Sequence, residues 1–392
     1  MARSIQLPAL SGAVLEAQSS GIREISNLAR DLPGSLRLEV GQPDFRTPDH
    51  ISEAGKKAID DGITYYTPTA GLTSLRAKIA AKVKRVNGMV VSAGQIAVTP
   101  GGCGAISAAL AAVTEPGDEV LLPDPCWPNF RIMLAWTHTK GVFYPCSPAN
   151  GFLPYPDRIA ALVTPRTKVL LINSPHNPTG AVYPRRLLET LADLARRHNL
   201  WVISDECYDE IILEGSADTM SSLLDDSRVI TAMTFSKTYS MTGWRLGYAI
   251  ASEEVTTQIT KVLESMSSNT TSITQVAGEA ALDGPQDCVA EMVSAYRRRR
   301  DLVVDLLREA GLLINVPTGA FYIMADVSPS GLPARDFALR LLTERGVAVA
   351  PGTAFGTQAA GAVRISLASS DVALREGVGR LAELVHELSA AR

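Results

Sequence analysis

This chain has no paired cysteines, no dominant sign of charge and no apolar run of membrane length. Its five cysteines (103, 126, 146, 207, 288) form an odd set without a CxxC pair. Free thiols in a reducing compartment are expected, and a disulfide scaffold is excluded. The 37 basic and 41 acidic residues leave a formal net charge of −4, which speaks against a protein that lives on nucleic acid. The apolar stretch 105–113 is among the longest, well short of the roughly 18 residues that span a bilayer. The first fifteen residues carry Arg3 but no continuous apolar stretch before a small-residue cleavage site, so no signal peptide is expected. The five histidines (50, 138, 176, 198, 386) are scattered, with no HExxH, and support no metal site. Internal repeats and low-complexity tracts are also missing, which excludes a solenoid or propeller.

What is present is ordinary globular material. The 392 residues are 46% hydrophobic and 20% charged, enough for two or three domains at about 150 residues each. From about residue 95, short apolar runs alternate with helical patterns, the mark of βαβ units on a mostly parallel sheet. Strands are expected at 95–99, 119–122, 168–173, 200–204, 229–235 and 246–251, with helices at 101–113 and 185–198. After about residue 285 the style changes to α+β. A long amphipathic helix at 287–310 carries four successive arginines, Arg297 to Arg300, read as a solvated or interface face because Glu291, Asp301 and Asp305 neighbour them. Short strands follow at 320–325, 348–350 and 363–367. The expected organisation is an arm and linker (1–45), a large domain (46–285) and a smaller C-terminal domain (286–392).

The chemistry-bearing stretches all fall at the carboxyl ends of expected strands, the rim where open α/β sheets bind ligands. Thr99-Pro100-Gly101-Gly102-Cys103-Gly104 turns a strand into a helix through three glycines. Such a turn lets backbone N–H groups and the helix dipole meet a phosphate, or serves simply as a tight βα turn. Asn173-Ser174-Pro175-His176-Asn177-Pro178-Thr179-Gly180 aims Asn177 back at the rim. Asp205 ends the apolar strand Trp201-Val202-Ile203, where a carboxylate must be paired or bear the cost of desolvation. Lys237, in Phe235-Ser236-Lys237-Thr238-Tyr239, lies where a lysine can be desolvated and become a nucleophile. Together these describe a cofactor with a phosphate, a ring and an aldehyde.

The blocks NSPHNPTG, SDECYDE, FSKTYSMTGWRLGY and PTGAFY, in that order, resemble the fold-type I, pyridoxal-phosphate-dependent aminotransferases of class I/II, in the bacterial aspartate-aminotransferase-like subgroup. The resemblance runs from Val40-Gly41-Gln42-Pro43-Asp44-Phe45 to Val363-Arg364-Ile365-Ser366. It implies a large domain with a mostly parallel mixed sheet sandwiched by helices, and a smaller α+β C-terminal domain. It also implies residue roles. Lys237 resembles the lysine that bonds to the cofactor aldehyde and then shuttles the substrate α-proton, and Asp205 the carboxylate that keeps the pyridine nitrogen protonated. Asn177 and Tyr208 match the groups that hydrogen-bond the ring 3-oxygen. Arg245, Ser236 and the Gly102/Cys103 backbone match the phosphate cup. Trp127 falls where an aromatic stacks on the ring. Arg364 matches the two-pronged clamp on the substrate α-carboxylate, with Gly41 and Phe321 in the substrate neighbourhood. Tyr66 resembles the tyrosine that reaches the phosphate from a second subunit, implying a homodimer with shared sites; Tyr65 is the alternative.

The resemblance implies a cytoplasmic enzyme that moves an amino group between an L-amino acid and a 2-oxo acid with ping-pong kinetics. A C–S or β-lyase on the same scaffold is the alternative. A cofactor-sensing regulator is the non-enzyme one, against which stands the lack of a helix-turn-helix pattern before residue 45. Two departures bear on specificity. Cys103 stands where aspartate-specific relatives carry a lysine, and Gln42 stands where glutamate is usual. A second substrate carboxylate needs a cation, which Cys103 cannot provide, so a neutral or aromatic donor is expected. An arginine of the N-terminal arm (Arg23 or Arg37), or one from another subunit, is the rival source of that cation.

Overall fold

The computed structural model describes residues 9–16, 21–223 and 227–391; residues 1–8 and 17–20 of the expected arm lie outside the described residues. The mostly parallel sheet is present and has seven strands: β1 Ile96–Thr99, β2 Glu119–Asp124, β3 Lys140–Pro145, β4 Thr167–Asn173, β5 Trp201–Asp205, β6 Val229–Thr234 and β7 Gly247–Ile250. They lie in the order β1-β7-β6-β5-β4-β2-β3. All pairs are parallel except those of β7, which runs antiparallel to both β1 and β6. Strand β3, which no sequence expectation covers, is an edge strand containing Gly141 and Pro145 and is less buried than its neighbours.

Alternation of side chains packs both faces. Val120, Leu122, Val169, Leu171 and Ile203 join the core beneath the buried helix Gly101–Val113. Leu121, Leu170, Ile172 and Val202 face the amphipathic helix Arg185–Arg197, which buries Leu188, Leu191 and Leu194 against them. Each such fully buried aliphatic residue contributes on the order of 1.5–3 kcal/mol. A three-layer α/β/α core of this size holds the strand ends rigid.

The register decides where the chemistry lies. Asn173 is level with Asp205, and Asp205 with Ala232, so the ends of β4, β5 and β6 form one rim.

The second core is α+β. Strand Tyr322–Asp326 pairs antiparallel with Ala362–Ser366, which pairs with Ala350–Pro351. Helices Asp287–Glu309, Ala334–Arg345 and Asp371–Ala390 cover this sheet. Part of the expected arm and linker contributes to it directly. Helix Gly21–Arg30 buries Ile25 and Ala29 there, and Leu36–Arg37 pairs parallel with Val347–Ala348. The arginine run also differs from a solvated face. Arg299 and Arg300 are buried, and Arg299 makes a two-pronged pair with Asp44 (both contacts 2.8 Å). Each of the four arginines is tied to a neighbouring carboxylate or carbonyl. Among the described residues no helix is long and apolar enough to cross a membrane.

Candidate active site

Local hydrogen bonding sets the rim. The Asn173 amide donates to the Asp205 carbonyl (3.0 Å) and the Pro175 carbonyl (3.3 Å), while its Oδ1 accepts the Asn177 N–H (2.9 Å). These bonds turn the Pro-rich loop back so that Asn177 faces the rim. Next to it, Gly101 opens its helix with φ +74°, and a Cβ there would sit 2.5 Å from Arg245 Nη2. Only glycine meets both demands. The Arg245 guanidinium lies across the helix start, donating to the Thr242 carbonyl (2.9 Å) and the Pro100 carbonyl (3.4 Å). Thr234 caps the short helix Phe235–Thr238 by accepting the Ser236 N–H (3.1 Å), and donates to Ser236 Oγ (2.9 Å).

One cavity of about 340 Å³ joins these groups. At one end lie Gly102, Cys103, Ser236 and Arg245, with Thr234 and Thr242; at the wall is Trp127, its ring edge-to-face on Phe130 at 5.4 Å. Asp205, Asn177, Tyr208, Lys237, Gly41 and Arg364 line the same cavity.

The Lys237 ammonium donates to the Gly41 carbonyl at 2.6 Å. Burial pushes this amine down to about 8 from 10.5, so a neutral nucleophile is accessible near physiological pH. Asp205 is pushed up to about 6, again by burial, with the Cys207 amide (3.2 Å) on its Oδ1. Among the described residues no cation lies within salt-bridge reach of it. Arg364 is the mirror case, a buried guanidinium whose hydrogen bonds go only to neutral groups, with the Glu39 carboxylate beyond ion-pair distance. It donates to Asn177 Oδ1 (2.8 Å) and the Glu39 carbonyl (2.6 Å), and stacks 4.1 Å from the Tyr322 ring centroid. Among the described residues its Nε has no hydrogen-bond partner. A buried cation without a carboxylate is a ready anion receptor. Burial raises the Cys103 thiol, which keeps it neutral and makes it a packing residue of the cavity wall.

One expected residue lies elsewhere. Phe321 is fully buried behind the wall, its ring 5.5 Å from that of Tyr208. It is Tyr322 that lines the cavity, donating to or accepting from the Tyr208 hydroxyl at 2.7 Å. A Cβ on Gly41 would collide with that Tyr322 hydroxyl. Tyr66 and Tyr65 are 88% and 83% exposed and line no part of this chain's cavity. Sequence reasoning missed Asn173, Tyr322 and Thr234. A polar residue closing an apolar strand was the available signal for Asn173.

The residues present fit pyridoxal phosphate. A helix N-terminus, the hydroxyls of Thr234, Ser236 and Thr242, and Arg245 suit its phosphate, and the uncompensated Asp205 suits a protonated ring nitrogen. Trp127 offers a ring face, and Lys237 an amine for the aldehyde.

Residues 33–381 match the family described as aminotransferase class I and II. The aspartate/prephenate aminotransferase of Thermus thermophilus is 40% identical, covering 89% of this chain and 91% of the relative. Aromatic-amino-acid aminotransferase 2 of Thermococcus litoralis is 37% identical, covering 97% and 99%. A solved Thermus thermophilus aspartate aminotransferase with maleate superposes at a TM-score of 0.92 with 37% identity, covering 96% of this chain and all of that one. A chain that matches over this length, with this sheet order and this rim, belongs to the class I and II aminotransferases, pyridoxal-phosphate enzymes of fold type I.

Proposed function

We propose that this enzyme takes its amino group from a neutral or aromatic L-amino acid, with Lys237 as the residue that moves the proton. When bound, pyridoxal phosphate supplies an aldehyde carbon for amines and a ring that draws electrons from the substrate Cα. Lys237 carries a proton to and from that carbon, which its lowered basicity permits at neutral pH. Asp205 holds a proton on the ring nitrogen. Asn177 and Tyr208 would hydrogen-bond the ring oxygen, and Gly102, Cys103, Ser236 and Arg245 would hold the phosphate. Arg364 clamps the α-carboxylate common to all amino acids, and in doing so exchanges the neutral Asn177 and Glu39 oxygens for a charged partner.

The observation that carries this reading is the pairing of Lys237 and Arg364 in one cavity: a loosened amine beside a buried cation with no carboxylate of its own. The donor assignment is supported by the uncharged Cys103 and by the aromatic walls of Trp127 and Tyr322. The relatives are named as aminotransferases, which favours transfer over a lyase reaction. A panel of single half-reactions, read from the cofactor spectrum, tests it. Phenylalanine, leucine or alanine is expected to react with the highest kcat/KM; a wide preference for aspartate would contradict the donor assignment.

A cytoplasmic homodimer completes the proposal. Five free thiols support the compartment. Exposed Ile59, Ile63, Tyr65 and Tyr66 support a second copy covering that edge, with one of the tyrosines reaching its phosphate end. Sedimentation should read about twice the 41.8 kDa chain mass; a monomer at assay concentration would count against it.

A further inference from the structure

We propose that Asp124 is a positioning residue for substrate binding, which fixes the guanidinium of Arg364 through the loop 352–361 and Phe355. This rests on the reading of Arg364 as the clamp for the substrate α-carboxylate. Asp124 closes strand β2 of the large sheet, is 7% exposed and takes no part in the chemistry described above. A carboxylate so buried must be satisfied. Among the described residues its side-chain partners are hydrogen-bond donors, not cations.

These donors come from one loop of the smaller core. Oδ2 accepts the Thr357 N–H (3.2 Å) and the Thr357 hydroxyl (2.5 Å), and Oδ1 accepts the Gln358 N–H (3.2 Å). Two residues along from Asp124, the Cys126 N–H donates to the Phe355 carbonyl (2.9 Å). Gly356 permits the approach: its φ is +150°, and a Cβ there would overlap Asp124 Oδ1. The end of β2 thereby grips residues 355–358.

Phe355 passes this placement on. Its side chain is fully buried, and the Arg364 guanidinium lies 4.9 Å from its ring centroid and 4.1 Å from that of Tyr322. The loop that carries Phe355 joins strand Ala350–Pro351 to strand Ala362–Ser366, on which Arg364 stands. Among the described residues Arg364 hydrogen-bonds only the Asn177 side chain and the Glu39 carbonyl, so the two rings set much of its tilt. A two-pronged contact with a carboxylate depends on that tilt. Trp127 follows Asp124 by three residues and lines the cavity. One strand end thus places the aromatic wall directly and the carboxylate clamp through Phe355.

The test uses the holoenzymes of Asp124→Asn, Phe355→Leu and the double variant, with Arg364→Lys alongside. An amide at position 124 replaces one acceptor by a donor that faces an N–H group. KM for every amino acid should rise about fivefold in Asp124→Asn with kcat within about twofold, the effect of one lost hydrogen bond on binding alone. 3-Phenylpropionate, which carries the carboxylate without the amine, should bind about fivefold more weakly by the shift in cofactor absorbance. Thr357→Val, which removes one donor and leaves the carboxylate, should shift both in the same direction by a smaller factor. Phe355→Leu should also raise KM, and the double variant should be no worse than the more impaired single one, because both changes act on one route. KM and 3-phenylpropionate affinity unmoved in Asp124→Asn and Thr357→Val, whatever the change in urea stability, would overturn the assignment. Additive losses in the double variant would overturn the route through Phe355. An unchanged KM in Arg364→Lys would instead overturn the clamp on which the assignment rests.

Discussion

Lys237 carries its chemistry on an amine whose hold on a proton is weakened by burial, and that sets a pH dependence. An amine attacks an aldehyde only when neutral, so uptake of pyridoxal phosphate by the cofactor-free protein should rise with pH and level off above about 8. A rate still climbing towards the ordinary lysine value of 10.5 would contradict the assigned environment. Stopped-flow absorbance of cofactor uptake measures it. The linkage has a definite sign. Because the folded chain holds this proton less tightly than the unfolded one, Lys237 adds stability to the cofactor-free fold as pH rises from about 8 towards 10.5. Asp205 acts in the other direction. Its folded value of about 6 lies above the usual 3.8, so it costs the cofactor-free fold stability as pH rises between those values. A protonated ring nitrogen beside it removes that cost.

At the scale of elements, the segment 38–45 acts as a strap between the two cores. Its Leu38 carbonyl accepts the Ser366 N–H (2.8 Å), its Glu39 carbonyl Arg364, its Gly41 carbonyl Lys237 and its Phe45 carbonyl the Ser240 hydroxyl. Arg299 clamps its Asp44. Asp44→Asn leaves a buried guanidinium half-paired, though Asp371 still holds its Nε at 3.3 Å. A loss of about 1–3 kcal/mol is expected in urea unfolding, together with a raised KM for amino acids because Arg364 shares the strap. Loss of stability with KM unmoved would show that the clamp serves the fold alone. The strap also marks how far the sequence could be read. The helix Gly101–Val113 was legible to the residue, since a glycine start and an apolar run announce it. Lys237, Asp205, Asn177 and Arg364 were legible from strand ends and motif. Phe321 and Tyr322 were not separable, because neighbours in a strand face opposite sides and Ala320, at φ +54°, breaks the alternation just before them. The buried half of the arginine run was hidden for a different reason. The partners of Arg299, Asp44 and Asp371, lie 255 and 72 residues away, and Arg300 also reaches Glu214, 86 residues away, beyond any local pattern.

At the scale of the whole molecule, the side chains proposed to act in the reaction come from two separate cores. Lys237 and Asp205 stand on the seven-stranded sheet, and Arg364 on the smaller antiparallel one. On the proposed roles, each amino acid bridges the two through its amine and its carboxylate. The central claim is that the amine end of this bridge is Lys237. The most direct measurement adds pyridoxal phosphate to the purified protein, reduces the adduct with borohydride and maps the labelled peptide by mass. The account predicts the label on Lys237, and none at that peptide in Lys237→Ala; a bare Lys237 with the label on other lysines would contradict it.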